Sequence, residues 1–493
     1  MTSTRQGDDI TLADGLSREF LLHHRCCPAR RSADGAIVVA IAPGGAADAL
    51  DDIALAYRCP VTPEQVAADE VDRLIERLVT RADRSIELER GADDFNGEYD
   101  ALADIRSLAS EAPVVRYVNL LVRDAFEAGA SDIHLEATRT GISARFRLDG
   151  ALAPALEPPA ELHQAVVSRI KLLAELDISE RRRPQDGRIR VRLDSRELDL
   201  RVSTVPTMFG ESVVLRLLDR GGRPVSLDEL GLDSRLREGF EHVAARPHGM
   251  MLVTGPTGSG KTTTLYACLA RRDAEREKIL TVEDPVEYQL AGIAQVPVHR
   301  QSGVTFAAAL RSLLRQDPDV IMVGEMRDAE TAEVAVQAAM TGHLVFSTLH
   351  TNDAVGAIAR LLDLGVPDYL VAATVEGIAA QRLVRRICEA CATSYAPSPE
   401  LVAELSGKPT GRVRLRRGAG CAACRDTGFR GRIGLFELAL MTEELKDAVT
   451  RRAPRSELRT LARQGGMTSL REDGWFKVQA GLTTVEEVLR VAP

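Results

Sequence analysis

The chain has 493 residues, 45% hydrophobic and 27% charged, with a formal net charge of −9 and eight cysteines. That length exceeds one hydrophobic core and points to about three to four domains, while the acidic balance argues against bulk nucleic-acid binding. Ala36–Ala42 is far too short for the roughly 18 apolar residues of a membrane span, and Met1–Asp9 lacks a charged-then-apolar leader. A cytoplasmic chain is expected, with cysteines serving as metal ligands or free thiols rather than disulfides.

Residues 1–87 read as a small α/β unit, with a strand at Ala36–Ala42 and a helix over Pro63–Arg81, where Val66, Val71, Leu74, Leu78 and Val79 recur near helical spacing. Cys26, Cys27 and Cys59 lack paired spacing and are expected as free, partly buried thiols. Residues 88–113 turn acidic and read as a linker, with a short helix at Tyr99–Ser110. A second domain, 114–220, opens with a helix (Val114–Gly129) and continues with strands at Ile142–Leu148, Arg188–Leu193, Glu197–Val202 and Ser212–Leu217. Gly221-Gly222-Arg223-Pro224 marks a hinge within a linker at 221–233.

A third domain, 234–385, alternates short apolar strands with helices, the pattern of a parallel α/β sheet. It contains Gly255-Pro256-Thr257-Gly258-Ser259-Gly260-Lys261-Thr262 directly after the apolar run Met250–Val253, with a helix following from Thr263. This is a phosphate-binding loop in its proper strand–turn–helix context, and it predicts an NTP-binding protein. Glycines let backbone N–H groups close around phosphate oxygens. Lys261 is placed to reach the outer phosphates, and the Thr262 hydroxyl to ligate Mg²⁺.

Three further strands end in polar tips, where ligands sit in such sheets. Glu325 follows Val320–Val323, the position of an acid that polarises attacking water; the alternative is a carboxylate facing a helix dipole. Glu283, Asp284 and Glu287 cluster after Leu280–Val282, with Asp284 a candidate for the nucleotide's metal and Glu287 for catalysis. His343 and His350 flank Leu344–Thr348 as candidate phosphate sensors or structural histidines. Residues 386–436 hold Cys388-Glu389-Ala390-Cys391 and Cys421-Ala422-Ala423-Cys424, four thiolates for one structural Zn²⁺. Such a site contributes about 10–16 kcal/mol of binding energy to folding. Residues 437–493 read as helical.

The set formed by the phosphate loop, Thr281–Glu287, Asp319–Asp328 and Gly342–Asn352 resembles the secretion ATPase superfamily, as its Walker A, aspartate, Walker B and histidine boxes. With Ala130–Glu136, Arg183–Arg188 and the four-cysteine insert, the chain is similar to the type II secretion assembly ATPases of the GspE family; the match is most specific from residue 114 onward. The resemblance implies a RecA-like P-loop core, a PAS-like α/β domain before it, a small N-terminal α/β domain and a tetracysteine zinc insert. It implies Mg²⁺-dependent ATP hydrolysis in a homohexamer that drives pseudopilus assembly, with an active site closing between the second and third domains. Arg201 and Arg216 from the second domain, and Arg311 and Arg315 from the third, are its candidate phosphate-neutralising arginines. Implied partners are the inner-membrane proteins GspL, through residues 1–87, and GspF, with acidic phospholipid a possible contact of the basic residues near the zinc insert and no nucleic acid. A type IV pilus assembly ATPase of the PilB kind is the alternative.

Overall fold

The structure is a computed structural model describing residues 18–32, 35–44, 49–57, 59–84, 86–88, 112–193, 196–219, 225–299, 302–407 and 413–492. The helix expected at Tyr99–Ser110 and the hinge Gly221–Pro224 lie outside the described residues, as does most of the linker at 88–113. The chain divides into two compact units. The first runs to Asp219 without Asp149–Ala151; the second holds those three residues and the chain from Arg220 onward.

The first unit opens with a three-stranded sheet of β1 (Cys26–Arg31), β2 (Ile37–Ile41) and β3 (Val61–Gln65), in that order. β2 is buried along its whole length. The helix expected from Pro63 instead begins at Ala68, because Val61–Gln65 pairs in parallel with β2. Proline has no N–H to give a ladder, and the sheet accepts it on this outermost strand. Cys26 and Cys27 are free thiols buried in β1, and burial pushes them up to about 11 and about 12.

A second sheet follows, from β4 (Ile86–Leu88), β5 (Ala130–Ala137), β6 (Ile142–Leu148), β7 (Ala151–Pro154), β8 (Gln185–Leu193), β9 (Arg196–Thr207) and β10 (Gly210–Asp219), in the order β4-β8-β9-β10-β5-β6-β7. β6 alternates: Ile142, Ala144 and Phe146 are buried while Ser143, Arg145 and Arg147 are half-buried. The apolar face lies under helices Ala112–Glu127 and His163–Leu173, forming one core with Ile133, Leu135, Leu200, Val202 and Leu215. The opposite face is therefore left to charged residues.

In the second unit, β11 (Gly249–Thr254), β12 (Ile279–Glu283), β13 (Ala294–Pro297), β14 (Val320–Val323), β15 (Leu344–Leu349) and β16 (Val375–Ile387) form a parallel sheet. β17 (Ala392–Tyr395) and β18 (Leu415–Gly418) make a separate ribbon, and β19 (Phe429–Leu440) returns antiparallel to β16. The main order is β13-β12-β14-β15-β11-β16-β19. β11, β12, β14 and β15 are buried throughout, as strands covered on both faces must be. The two C-x-x-C turns lie between β16 and β19, and the stretch read as helical from 437 begins within β19 before its four helices start at Glu443.

The last helix, Val485–Val491, is tied to β16 by Glu487, which accepts from Arg385 N at 2.9 Å, Arg385 Nη2 at 2.7 Å and Arg490 Nη2 at 2.8 Å. Burial pushes this carboxyl up, but the two arginines more than offset it and hold it at about 2, below its ordinary 4.5. The tie is complete above pH 4.5 and is lost as pH falls towards 2. Glu487→Gln is accordingly expected to lower the melting temperature at pH 7 and to flatten the acid-induced loss of stability below pH 4.5, as measured by circular dichroism melts across pH.

Candidate active site and metal centre

The turn after β11 is shaped by two glycines, Gly255 and Gly260, that leave no room for a side chain. Gly255 has φ +153°, and a Cβ there would lie 2.5 Å from Gln381 O and 2.7 Å from Ser259 Oγ. Gly260, at φ +86°, occupies the N-cap of helix Lys261–Leu269 in the left-handed region. Pro256, Thr257 and Gly258 are exposed, Ser259 is buried, and Thr262 and Thr263 are half-buried in the first helical turn. Lys261 Nζ donates to the carbonyls of Gly255 at 2.9 Å and Pro256 at 3.1 Å. Burial lowers its pKa to about 8; the Glu325 carboxylate opposes that shift and the Arg382 cation adds to it.

Glu325 reaches the same end of the sheet from β14. Gly324 N–H bonds Val282 O at 2.8 Å and Met326 N–H bonds Thr348 O at 3.0 Å, so the residue between them is pinned on both sides. Glu325 is 9% exposed. Its Oε2 accepts from Arg327 Nε at 2.6 Å and lies 3.4 Å from His350 Nε2, at the tip of β15. Asp284 is exposed after β12 and contributes to the field at Arg327; Glu287 is half-buried on the same loop. Glu283 is committed elsewhere: buried, it accepts from Tyr266 OH, Thr281 Oγ1 at 2.5 Å and Gln295 Nε2 at 3.1 Å.

Other candidates are not brought to this point. His343 precedes β15, with Nδ1 2.9 Å from Ala338 O and 3.1 Å from Thr341 Oγ1. The strand between it and His350 spans about 20 Å at roughly 3.3 Å per residue, so His343 occupies the opposite edge of the sheet. Arg311 pairs with Glu330 at 2.6 Å on an exposed surface, and Arg315 donates to Arg311 O at 2.9 Å.

Arg201 and Arg216 belong to the first unit and share a row there. Arg188 of β8 stands opposite Arg201 of β9, which stands opposite Arg216 of β10, then Asp132 of β5, then Arg147 of β6. Arg216 Nε donates to the buried Asp132 carboxylate at 2.9 Å. The three arginines of β8–β10 line a cavity of about 520 Å³ with Asp186 and Ser203. Directly opposed like charges destabilise a sheet, and Asp132 in the row and Asp186 at the cavity offset part of that cost. Arg188 and Asp132 lie in the stretches Arg183–Arg188 and Ala130–Glu136 that carry the resemblance, but they are not among its site candidates; the strand register sets them in this row.

The four cysteines Cys388, Cys391, Cys421 and Cys424 come together, all sulfurs lying within 4.8 Å of one another. The Cys388–Cys421, Cys391–Cys424 and Cys421–Cys424 separations are 3.9, 3.8 and 3.7 Å. A tetrahedron with metal–sulfur bonds of about 2.3 Å has edges of about 3.8 Å, so the four thiols fit a single ion. Backbone N–H groups of Cys421 and Gly428 point at Cys424 Sγ at 3.3 and 3.2 Å, the outer support that thiolate ligands use.

The type II/IV secretion system protein family matches residues 107–490, and the MshEN domain matches residues 6–85. Type II secretion system protein E of Xanthomonas campestris pv. campestris is 49% identical over 97% of this chain and 84% of its own length. Type II secretion system ATPase E of Vibrio cholerae is 45% identical over 81% of this chain and 80% of its own. The type IV pilus assembly ATPase PilB of Myxococcus xanthus is 44% identical over 96% of this chain and 85% of its own. Among solved structures, the pilus retraction motor PilT with bound ADP superposes with a TM-score of 0.50 at 28% identity, covering 76% of this chain and 96% of that one. The chain thus belongs to the type II/IV secretion system protein family, as an ATPase of type II secretion.

Proposed function

We propose that the protein is the Mg²⁺-dependent, homohexameric motor of a type II secretion system, hydrolysing ATP to ADP and phosphate to drive pseudopilus assembly. The observation that carries this reading is the convergence of Lys261 and Glu325 at one sheet edge behind a complete phosphate loop. Lys261 and the N–H groups of the loop hold the β- and γ-phosphates. Glu325 accepts a hydrogen bond from the attacking water as its oxygen approaches the γ-phosphorus and the bond to ADP breaks. His350 and Arg327, both on its Oε2, fix the orientation of that carboxylate. Thr262 and Asp284 or Glu287 would hold Mg²⁺, which when bound would supply charge neutralisation at the phosphates. Arg201, Arg216, Arg311 and Arg315 add positive charge in the assembled ring, where such residues are worth about 10³–10⁵ in rate. The tetracysteine turns hold a structural Zn²⁺ rather than a catalytic one, since all four positions are protein ligands.

Residues 1–87 dock on GspL, and GspF is a further partner, placing the protein at the cytoplasmic face of the inner membrane. No helix among the described residues is long and apolar enough to cross a membrane. Deleting residues 1–87 is expected to release the protein from membranes bearing GspL in a flotation assay; intact flotation counts against this docking assignment.

Glu325→Gln is expected to cut steady-state phosphate release by roughly 10²–10⁴-fold while ATP affinity stays within a few-fold of the unaltered chain. Retained turnover sinks the role given to Glu325. Mass-spectrometric metal analysis is expected to find one zinc per chain, and Cys391→Ser to lose it together with several degrees of melting temperature, in line with metal binding that is coupled to folding.

A further inference from the structure

Arg382 lies in β16, just beyond the last residues that pair with β11, where Thr254 stands opposite Ala380. That register carries Gln381 and Arg382 alongside the start of the phosphate loop. A Cβ on Gly255 would lie 3.2 Å from Arg382 Nη1, so the guanidinium is packed against the loop's first glycine. Lys261 Nζ reaches the carbonyl of the same residue at 2.9 Å. Two cations converge on Gly255.

The hydrogen bonds of Arg382 bring no neutralising charge. Nη1 donates to Gln381 O at 3.0 Å and Nη2 to Asn352 O at 2.9 Å, with Asn352 Oδ1 at 3.5 Å. All three acceptors are neutral, and Arg382 forms no ion pair among the described residues. The acids whose field reaches it, Glu437 and Asp353, are occupied. Asp353 accepts from Arg455 at 2.6 Å, Arg459 at 2.7 Å and the Gly356 N–H at 2.7 Å. Glu437 accepts from the Ala354 N–H at 2.9 Å, and burial pushes its carboxyl up.

A neutral amide would hold the Asn352 carbonyl without this cost. A cation here loses hydration on burial and repels Lys261, and each effect disfavours a charge kept only for scaffolding. An anion lying along the loop removes both penalties at once, and the loop is built to take phosphate.

We propose that Arg382 is a second phosphate-binding cation of the nucleotide site, acting beside Lys261 from within the same chain. The proposal rests on the nucleotide-binding reading above and adds a residue to it. Its charge, rather than its hydrogen-bonding shape, is the property the site uses. The two conservative variants separate those properties: Arg382→Gln keeps amide donors and loses the charge, and Arg382→Lys keeps the charge and loses the fork.

The experiment is ATP and ADP binding, together with steady-state phosphate release, on the full chain and both variants, with melting temperatures recorded without nucleotide. Arg382→Gln is expected to weaken ATP binding and lower kcat/KM roughly tenfold or more, the size of one charge-assisted hydrogen bond. ADP, with less charge, loses less. Arg382→Lys is expected to recover most of both, and the nucleotide-free melting temperatures to stay close to that of the unaltered chain. The proposal is overturned if Arg382→Gln binds and hydrolyses ATP normally. It is equally overturned if both variants lose ATP affinity alike and melt earlier, which assigns Arg382 to scaffolding of the Asn352 loop. Failure of the unaltered chain to turn over ATP overturns the ATPase reading instead, and the binding measurements still decide the role of Arg382.

Discussion

A parallel strand covered on both faces can deliver its chain to a ligand only at its carboxyl end, and β11 sits under that constraint. It is buried from Gly249 to Thr254 between β15 and β16, so the chain leaves the sheet at one fixed point and turns at once into helix Lys261–Leu269. The first N–H groups of any helix lack intrahelical partners. Neighbouring helices of this unit satisfy them with a side chain: Asp233, Thr305, Asp328 and Asp353 each accept from a backbone N–H at their own N-caps. Gly260 has no side chain to do so. Helices Ala329–Met340 and Ala354–Asp363 start at the same edge and are closed by Asp328 and Asp353, whereas helix Lys261–Leu269 keeps its positive end open, and a phosphate is the group that completes it.

The loop after β15 inherits its position from the same strand. Thr351 N–H donates to Thr254 Oγ1 at 2.7 Å, Asn352 is held by Arg382, and Asp353 by Arg455 and Arg459 of the C-terminal helices. Four successive residues, beginning with His350 beside Glu325, therefore touch the acid, the phosphate-loop strand, β16 and the last helical layer in turn.

Much of this was legible because it is local. The phosphate loop is eight consecutive residues whose neighbours in sequence are also its structural context, and each C-x-x-C pair forms within a single turn. The α/β class followed from short apolar runs alternating with helical periods, and β6 was placed at Ile142–Leu148 by its alternation alone. His343 and His350 could have been separated by the same reasoning. In a parallel sheet only the residues after a strand share an edge with the phosphate loop, and His343 comes before β15. What no local pattern carries is register. Arg382 sits in the unremarkable run Ala379-Ala380-Gln381-Arg382-Leu383, and only the pairing of β16 with β11 sets it beside Gly255. Arg188 and Asp132 likewise join Arg201 and Arg216 through cross-strand pairing alone. Pro63 misled in the opposite direction: a helical period ran over a proline that the outermost strand could use.

The distribution of charge separates scaffold from site more sharply than burial does. Where this chain buries a cation for structure, it supplies a carboxylate directly. Lys171 meets Glu211 at 2.8 Å, Lys477 meets Asp473, and Arg385 meets Glu487 at 2.7 Å. Breaking such a pair costs about 3–5 kcal/mol, so the compensation is stringent. Among the described residues, the Lys261–Arg382 pair at Gly255 departs from this pattern, since its direct acceptors are all neutral. An anion along the loop would supply that missing charge. A fold that meets Lys171, Lys477 and Arg385 with carboxylates has little physical reason to leave Lys261 and Arg382 together among neutral acceptors, and a bound phosphate would compensate both.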